Sequence, residues 1–267
     1  MSIQTSLLST LDPPVSGLIL DMDGVLWEGS RPLVDLQRVF RAIAQAGIGV
    51  VLATNNATRT PRSYLETLAQ YGVTLDEAQI LTSAVALASH LKDLYPRGGA
   101  VYLIGEQGLS EALEQNGFWP DAQEALAVVA SLDRGLTYEK LKQATLLIRK
   151  GVPFFASNDD RTLPTPEGQV PGAGAILAAL QAATDVTPWL AGKPEPALFE
   201  SAMRRLGTFP QNTLVVGDRL ETDILGASRA GCRSALVLSG VTTREALTKS
   251  DLHPELVLNS LEDLFPA

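Results

Sequence analysis

The sequence predicts an α/β fold, a parallel sheet with helices on both faces that is interrupted by a second α/β segment. Two observations carry this prediction. Short apolar runs at residues 17–20, 49–53 and 213–216 each end in polar residues, which is typical of strands buried on both faces. Stretches with helical spacing separate these runs, and an alternation of strands and helices favours parallel pairing through crossover helices.

The first part of the chain is predicted as strand, helix, strand, helix. After the strand at 17–20, residues 33–46 repeat apolar side chains at helical spacing, and Gly47 ends the pattern. The next strand, 49–53, runs into Thr54. A proline typical of a first helical turn, Pro61, begins the second helix, which reaches residues 71–72.

The middle of the chain has its own alternation. Its strands are predicted at 101–104, 127–130 and 153–156, and its helices at 109–116, 138–149 and 175–183. The C-terminal part returns to the first pattern, with helices at 196–206 and 222–230 and strands at 213–216 and 235–238. We therefore expect a core domain of residues 1–82 and 188–267, with an inserted domain of residues 83–187.

Composition excludes several classes of protein. Lys and Arg total 21 against 30 Asp and Glu, and a net charge of −9 disfavours a nucleic-acid partner. One cysteine, Cys232, allows neither an internal disulfide nor a thiolate zinc cluster, and two histidines weaken any His-based site. Without an export signal or an apolar run of about 18 residues, the sequence predicts a cytoplasmic protein with no membrane partner.

Polar side chains gather at the predicted carboxyl ends of the core strands. These residues are Asp21, Asp23, Thr54, Asn55, Asn56 and Asp218. Ligands of open parallel sheets bind beyond those ends, so we expect these residues to meet at one edge.

Carboxylates brought together in this way need a cation. At 4 Å and an effective dielectric constant near 20, each pair repels by about 4 kcal/mol. Oxygen ligands without His or Cys favour a hard cation, Mg²⁺ above all. Lys193 offers a second positive charge, and Thr54 with nearby main-chain amides offers donors to phosphate. This set of groups predicts phosphoryl transfer with an aspartate nucleophile.

Four motifs in order resemble those of the haloacid dehalogenase (HAD) superfamily. They are Asp21-Met22-Asp23-Gly24-Val25, then Thr54-Asn55-Asn56, then Lys193, and then Gly217-Asp218 with Asp223. The segments ASNDD, PGAGAI, GKPEP and GDRLETDI further resemble NagD-like and para-nitrophenylphosphate phosphatases. That resemblance implies a Rossmann-like core with an inserted C2-type cap, over nearly the whole chain.

The resemblance also implies a role for each motif residue. Asp21 would attack phosphorus, and Asp23 would act as general acid and base. The Asp21 and Asp218 side chains and the Asp23 carbonyl would hold Mg²⁺, with Asp223 orienting metal-bound water. Thr54, Asn55, Asn56 and Lys193 would bind the phosphoryl group of a small phosphorylated metabolite. Because caps of this type often dimerise, the resemblance also implies a homodimer through the cap.

Other interpretations remain at this point. Hydrolytic dehalogenation needs no acid two residues after the nucleophile, so Asp23 disfavours it. A phosphomutase would use the same core, and a catalytically weak module that binds a phosphorylated ligand would keep the same pocket. Three of the motif residues also have a simpler interpretation when each is considered without the others. Lys193 would then be a lysine exposed to solvent, Thr54 a helix cap, and Asp223 an acidic residue that complements the dipole of a helix.

Substrate selectivity is expected to come from the insert. Its segment Asn158-Asp159-Asp160-Arg161 follows a predicted strand, and Asp159 stands where the resembled family has proline. Asn158 is therefore a candidate contact to substrate. Substitution of Asn158 or Arg161 is expected to change KM and substrate ranking while largely sparing hydrolysis of a small aryl phosphate.

Overall fold

The computed structural model describes residues 7–165 and 167–265, and these form two compact units. The first unit contains residues up to Thr54, Tyr64–Leu81 and the chain from Lys193 onward, and the second contains Asn55–Ser63 and Thr82–Gly192. The strands of the described residues are β1 (Gly17–Leu20), β2 (Trp27–Glu28), β3 (Arg31–Pro32), β4 (Gly49–Thr54), β5 (Ile80–Thr82), β6 (Gly99–Ile104), β7 (Phe118–Pro120), β8 (Val128–Ala130), β9 (Phe154–Ala156), β10 (Thr162–Thr165), β11 (Gly168–Pro171), β12 (Trp189–Leu190), β13 (Thr213–Gly217), β14 (Arg233–Val237) and β15 (Leu256–Leu258).

The α-helices of the same residues alternate with these strands. They are α1 (Leu36–Gln45), α2 (Pro61–Gln70), α3 (Ser83–Leu94), α4 (Gln107–Gln115), α5 (Tyr138–Arg149), α6 (Ala173–Thr184), α7 (Pro196–Leu206), α8 (Leu225–Arg229) and α9 (Arg244–Thr248). None of the helices in the described part of the chain combines the length and apolar character needed to cross a bilayer.

The first unit is built on a six-stranded sheet in the order β15-β14-β13-β1-β4-β5. The pairs from β15 to β4 all run parallel, and β1 pairs with β13 on one side and β4 on the other. All four residues of β1 are buried, as its continuous apolar run predicts. The carboxyl ends of β1, β4 and β13 therefore lie side by side.

The second unit has a five-stranded parallel sheet in the order β12-β9-β8-β6-β7. Its apolar core joins the inner faces of β8 and β9 to α5 and α6, for example Val128, Phe154, Ile148 and Leu180. An antiparallel pair, β10–β11, follows β9. The prediction of parallel α/β architecture, with a Rossmann-like core and an α/β insert, is confirmed.

Most predicted elements are present, and two differ for local reasons. The first helix begins at Leu36 because the Asp35 carboxylate caps it, accepting from the Arg38 N–H at 3.0 Å. The helix predicted at 222–230 is preceded by a π-helical turn, Leu220–Ile224, in which the Arg219 carbonyl accepts from the N–H groups of Asp223 and Ile224.

The segment that follows β4 groups with the second unit. Gly108 of α4 donates its N–H to the Thr58 carbonyl, and a Cβ at Gly108 would lie 2.5 Å from the Ala57 carbonyl oxygen. A side chain at position 108 would therefore push this segment away. That the inserted domain comprises residues 83–187, as expected from the sequence, stays a prediction.

Candidate active site

Four buried or nearly buried charged residues meet at the carboxyl edge of the first unit's sheet. Asp21 follows β1, Asp218 follows the neighbouring β13, Asp223 lies in the π-helical turn, and Lys193 precedes α7. Carboxylate oxygens of the three aspartates lie within 4.8 Å of one another. The side chains of Asp218 and Asp223 are each only 1% exposed. The strand ends bring Asp21 and Asp218 together, as the sheet argument predicts.

Lys193 joins two of these carboxylates. Its ammonium donates to Asp21 Oδ1 at 2.5 Å and to Asp223 Oδ1 at 2.6 Å. It also lies 3.4 Å from the Ala53 carbonyl at the end of β4. The other oxygen of Asp223 accepts from the Arg219 N–H at 3.1 Å. Asp223 therefore anchors Lys193 and the turn after β13 at the same time.

Within the described part of the chain, only one of the two carboxylate oxygens of Asp218 accepts a hydrogen bond. Its Oδ2 accepts from the Val241 N–H at 2.7 Å, and its carbonyl accepts from the Thr242 N–H at 3.1 Å. Among the described residues, its buried Oδ1 has no hydrogen-bond partner. An ionised oxygen left in this way is costly, and a bound cation is the usual solution.

Two glycines make room for this carboxylate. A Cβ at Gly24 would lie 2.3 Å from Asp218 Oδ2, and a Cβ at Gly240 would lie 2.1 Å from the same oxygen. Gly24 also has a φ of +86°, which side-chain-bearing residues rarely adopt. The turn after β1 and the loop after β14 can therefore close around Asp218 only with glycine at these two positions.

The cluster carries more negative than positive charge. Burial raises the pKa of Asp21 well above its ordinary value against the opposing charge of Lys193, and the charges of Asp223 and Asp218 add to the rise. Burial and the charge of Asp223 also raise the pKa of Asp218 to about 6. Burial opposes the charge of Lys193, but Asp21 and Asp223 outweigh it and raise the pKa of the ammonium. Another cation beside these carboxylates would favour their ionised forms.

Asp23 lies in a tight turn and is exposed. The carbonyl of the fully buried Met22 accepts from the N–H groups of Leu26 at 2.8 Å and of Val25 and Trp27 at 3.3 Å each. Gly24 donates its N–H to the Trp27 carbonyl at 2.8 Å. We expected Asp21, Asp23 and Asp218 to be the crowded carboxylates, whereas the cluster in the described residues contains Asp223 in place of Asp23.

The second motif spans both units. Thr54 is the last residue of β4 and is 4% exposed, while Asn55 and Asn56 belong to the second unit. The side-chain oxygen of Asn56 accepts from the N–H of Thr58 at 2.9 Å and from its hydroxyl at 2.8 Å. This oxygen therefore shapes the turn after β4.

Asn158 is buried, not part of a solvated turn. Its amide donates to the Asn55 carbonyl at 2.8 Å and to Ser157 Oγ at 3.0 Å, and its Oδ1 accepts from the Asp160 N–H at 3.1 Å. Both N–H groups of the amide are thus engaged within the second unit. The predicted contact of Asn158 with substrate stays a prediction, but this geometry favours a structural role. Asp159 and Arg161 are exposed.

Several residues at this site were not found from the sequence. Gly240 follows the end of a predicted strand, and the same type of position led to Asp21 and Asp218. Glycine, however, has no side chain that would indicate a chemical role. The main-chain N–H of Val241 is invisible to residue-type arguments. Within the second unit, the hydroxyl of Ser83 donates to the Asn55 carbonyl at 2.6 Å, and Ser83 opens a helix that was not predicted.

Two family models match the chain. The model described as "Haloacid dehalogenase-like hydrolase" matches residues 18–119, and a HAD-hydrolase-like model matches residues 190–264. The first match contains Asp21, Asp23 and Thr54, and the second contains Lys193 and Asp218.

A relative matches over almost the whole length. The chain is 36% identical over 250 residues to "5'-nucleotidase YutF" of Bacillus subtilis, covering 94% of this chain and 97% of the relative. The chain belongs to the haloacid dehalogenase-like hydrolases. The family resemblance drawn from the four motifs is therefore confirmed.

Solved structures define the subfamily of this HAD hydrolase. The p-nitrophenyl phosphatase from Archaeoglobus fulgidus superposes with a TM-score of 0.89 at 31% identity, covering 94% of this chain and 98% of that one. NagD from Escherichia coli superposes with a TM-score of 0.85 at 28% identity, covering 92% and 97%. The protein is a NagD-like HAD hydrolase and, as an enzyme, a phosphoric monoester hydrolase. Its aspartate cluster is a place where a divalent metal can bind.

Proposed function

We propose that this HAD hydrolase is a Mg²⁺-dependent phosphatase of small phosphomonoesters that forms an aspartyl-phosphate on Asp21. The proposal rests mainly on the buried Oδ1 atom of Asp218. This oxygen has no hydrogen-bond partner among the described residues, and Asp218 forms one carboxylate cluster with Asp21 and Asp223. Lys193 lies in the same cluster, bonded to both of its other carboxylates.

The cluster fits a divalent cation in charge and donor type. Three carboxylates face one ammonium, so two negative charges remain uncompensated when all are ionised. All candidate ligand atoms are oxygens, which favours Mg²⁺ over softer metals. We assign the side chains of Asp21 and Asp218 and the main-chain carbonyl of Asp23 as its ligands. When bound, the ion would neutralise the carboxylates and polarise the phosphoryl group.

In the proposed reaction, a carboxylate oxygen of Asp21 attacks phosphorus, and the bond from phosphorus to the ester oxygen breaks. Asp23 gives its proton to the departing oxygen, which leaves as an alcohol. Asp23 then takes a proton from water as that water attacks phosphorus, which releases inorganic phosphate and restores the Asp21 carboxylate. Lys193, anchored by Asp223, keeps a positive charge beside the oxygens that carry the developing negative charge.

The proposed substrate is a small phosphorylated metabolite. A 5'-nucleotidase and a p-nitrophenyl phosphatase are among the similar proteins, so nucleoside 5'-monophosphates and aryl phosphates are the first compounds to test. The net charge of −9 disfavours polyanionic nucleic acid. A cytoplasmic location, the absence of a membrane partner and a homodimer through the cap stay parts of this proposal. A screen for phosphate release, followed by identification of all products, separates a phosphatase from a phosphomutase or a binding module.

The proposed metal requirement gives the first prediction. Activity is expected to disappear in EDTA and to return with Mg²⁺, whereas Ca²⁺ restores little because it accepts larger and less regular coordination. Asp218→Asn is expected to raise the half-saturating Mg²⁺ concentration about 10- to 100-fold, measured by titration of activity. The exposed Asp159→Asn variant is the charge-matched control. Full activity after thorough chelation would refute the metal requirement.

The assignment of Asp23 gives the second prediction. Asp23→Asn is expected to lower kcat about 100-fold or more for alkyl phosphates, whose leaving oxygens need a proton. The loss should be much smaller for p-nitrophenyl phosphate, whose leaving group departs as a stable anion. The measurement compares kcat across esters of graded leaving-group pKa. An equal loss on all of them would remove Asp23 as general acid.

A further inference from the structure

The loop after β14 connects Asp218 to the turn after β1, and all of these residues belong to the first unit. The hydroxyl of Ser239 donates to the Gly24 carbonyl at 2.8 Å. Further along the loop, the Val241 N–H donates to Asp218 Oδ2 at 2.7 Å, and the Thr242 N–H donates to the Asp218 carbonyl at 3.1 Å. Residues 239–242 therefore join the segments that follow the neighbouring strands β1 and β13.

The middle of this loop has little burial to hold it. Gly240 is exposed, and Val241 is 61% exposed. Glycine has the widest conformational freedom of any residue, so the direction of the next N–H group depends on contacts to either side. Thr242, which is 6% exposed, holds the far side of the loop, and the Ser239 hydroxyl holds the near side.

The turn after β1 is a firm anchor for the Ser239 hydroxyl. Gly24 donates its N–H to the Trp27 carbonyl at 2.8 Å, and Trp27 is only 3% exposed. Gly24 also packs directly against Asp218, since a Cβ at this position would lie 2.3 Å from Oδ2. Because Gly24 is fixed in this way, its bond with Ser239 sets the position of the loop rather than that of the turn.

The position of the loop determines which oxygen of Asp218 is left for another ligand. The Val241 N–H binds Oδ2, whereas the buried Oδ1 has no hydrogen-bond partner in the part of the chain that the structure describes. Both oxygens belong to one planar carboxylate, so holding Oδ2 in place also sets the direction of Oδ1. Hydrogen bonds to a ligating carboxylate orient it in the same way in metal sites.

We propose that Ser239 is a positioning residue for the divalent cation. Its bond to Gly24 keeps the Val241 N–H on Asp218 Oδ2 and so presents Oδ1 to the ion. This inference rests on the proposed function, in which Asp218 is a ligand of Mg²⁺. The Ser239 hydroxyl should therefore contribute to the affinity for the ion through the loop and Asp218.

The test measures Mg²⁺ binding to the full chain by calorimetry, without substrate. Ser239→Ala is expected to raise the Kd for Mg²⁺ about 10-fold, because outer contacts of a metal site typically matter by this much or more. Ser239→Thr keeps the hydroxyl and should bind Mg²⁺ nearly as the wild type does. The matched control is Ser228→Ala, which removes an exposed serine of α8 in the same unit and should leave the Kd unchanged.

A double variant tests whether Ser239 acts through Asp218. Asp218→Asn weakens the site by itself, and adding Ser239→Ala to it should raise the Kd much less than Ser239→Ala does in the wild type. The melting temperature in EDTA, measured for every variant, separates a general loss of stability from an effect on the ion. If Ser239→Ala does not fold, Ser239→Cys takes its place, since a thiol is a weaker donor of similar shape.

Two results would overturn the inference. An unchanged Kd for Mg²⁺ in Ser239→Ala, with or without a lower melting temperature, would make the bond to Gly24 structural only. A full effect of Ser239→Ala in the Asp218→Asn background would show that Ser239 acts through another group. A wild-type protein that binds no Mg²⁺ would instead refute the proposed metal requirement, and this inference with it.

Discussion

Asp21→Asn is expected to abolish turnover while leaving the protein folded. The substitution preserves the size of the side chain but removes the negative charge that attacks phosphorus, so kcat should fall more than about 1,000-fold. The fold should survive because an asparagine at this position relieves repulsion from Asp218 and Asp223 and keeps an oxygen for Lys193. The measurement is phosphate release under saturating substrate and Mg²⁺, with the melting temperature as the check on folding.

The covalent step has its own readout. Acid quenching of the wild type during turnover should trap a hydroxylamine-sensitive phosphoprotein, located at Asp21 by mass spectrometry, and Asp21→Asn should trap none. Mass spectrometry must also exclude deamidation of the introduced asparagine back to aspartate. Sustained turnover by an intact, folded Asp21→Asn protein would rule out the aspartyl-phosphate.

Lys193→Met is expected to damage both activity and stability. Methionine keeps much of the apolar stem but leaves Asp21 and Asp223 facing each other without the ammonium that now bonds to both. Asp223 is 1% exposed, and loss of one partner from a buried ion pair typically costs about 3–5 kcal/mol. Loss of a positive charge beside the transferring group should lower kcat about 100- to 1,000-fold.

A surface lysine provides the matched control. Lys249 forms an ion pair with Glu245 at 2.6 Å in which both side chains are more than 70% exposed, so Lys249→Met should cost at most about 1 kcal/mol. Denaturant unfolding with and without Mg²⁺ measures both variants. Added Mg²⁺ should restore part of the stability of Lys193→Met, because a cation bound only by the folded state stabilises it. If Lys193→Met and Lys249→Met lost equal stability, the ion pairs of Lys193 could not be the buried, strongly stabilising contacts assigned to them.

The elements that were predicted correctly from the sequence are those with a clear pattern of apolar burial or of helical periodicity. β1 was predicted because four apolar residues in a row suit a strand covered on both faces, and α5 because its spacing is regular. The strands β2, β3, β5, β7, β10, β11 and β12 were not predicted, because they are two to four residues long and lack a distinctive pattern. The edge strand β15, the helix α3, which opens with Ser83, and the short helix α9 were also missed.

The sequence by itself determined the fold class, the residue types at the strand ends and the family. These properties depend on local residue patterns and on the order of the motifs, and both can be seen in a sequence without knowing which residues are in contact. Only the tertiary structure decided that Asp223 rather than Asp23 completes the carboxylate cluster, since the π-helical turn brings Asp223 back over Gly217. It also decided that Asn158 binds the Asn55 carbonyl and that Gly24 and Gly240 make room for Asp218. These facts concern distances between residues far apart in sequence, and such distances are set by packing rather than by residue type.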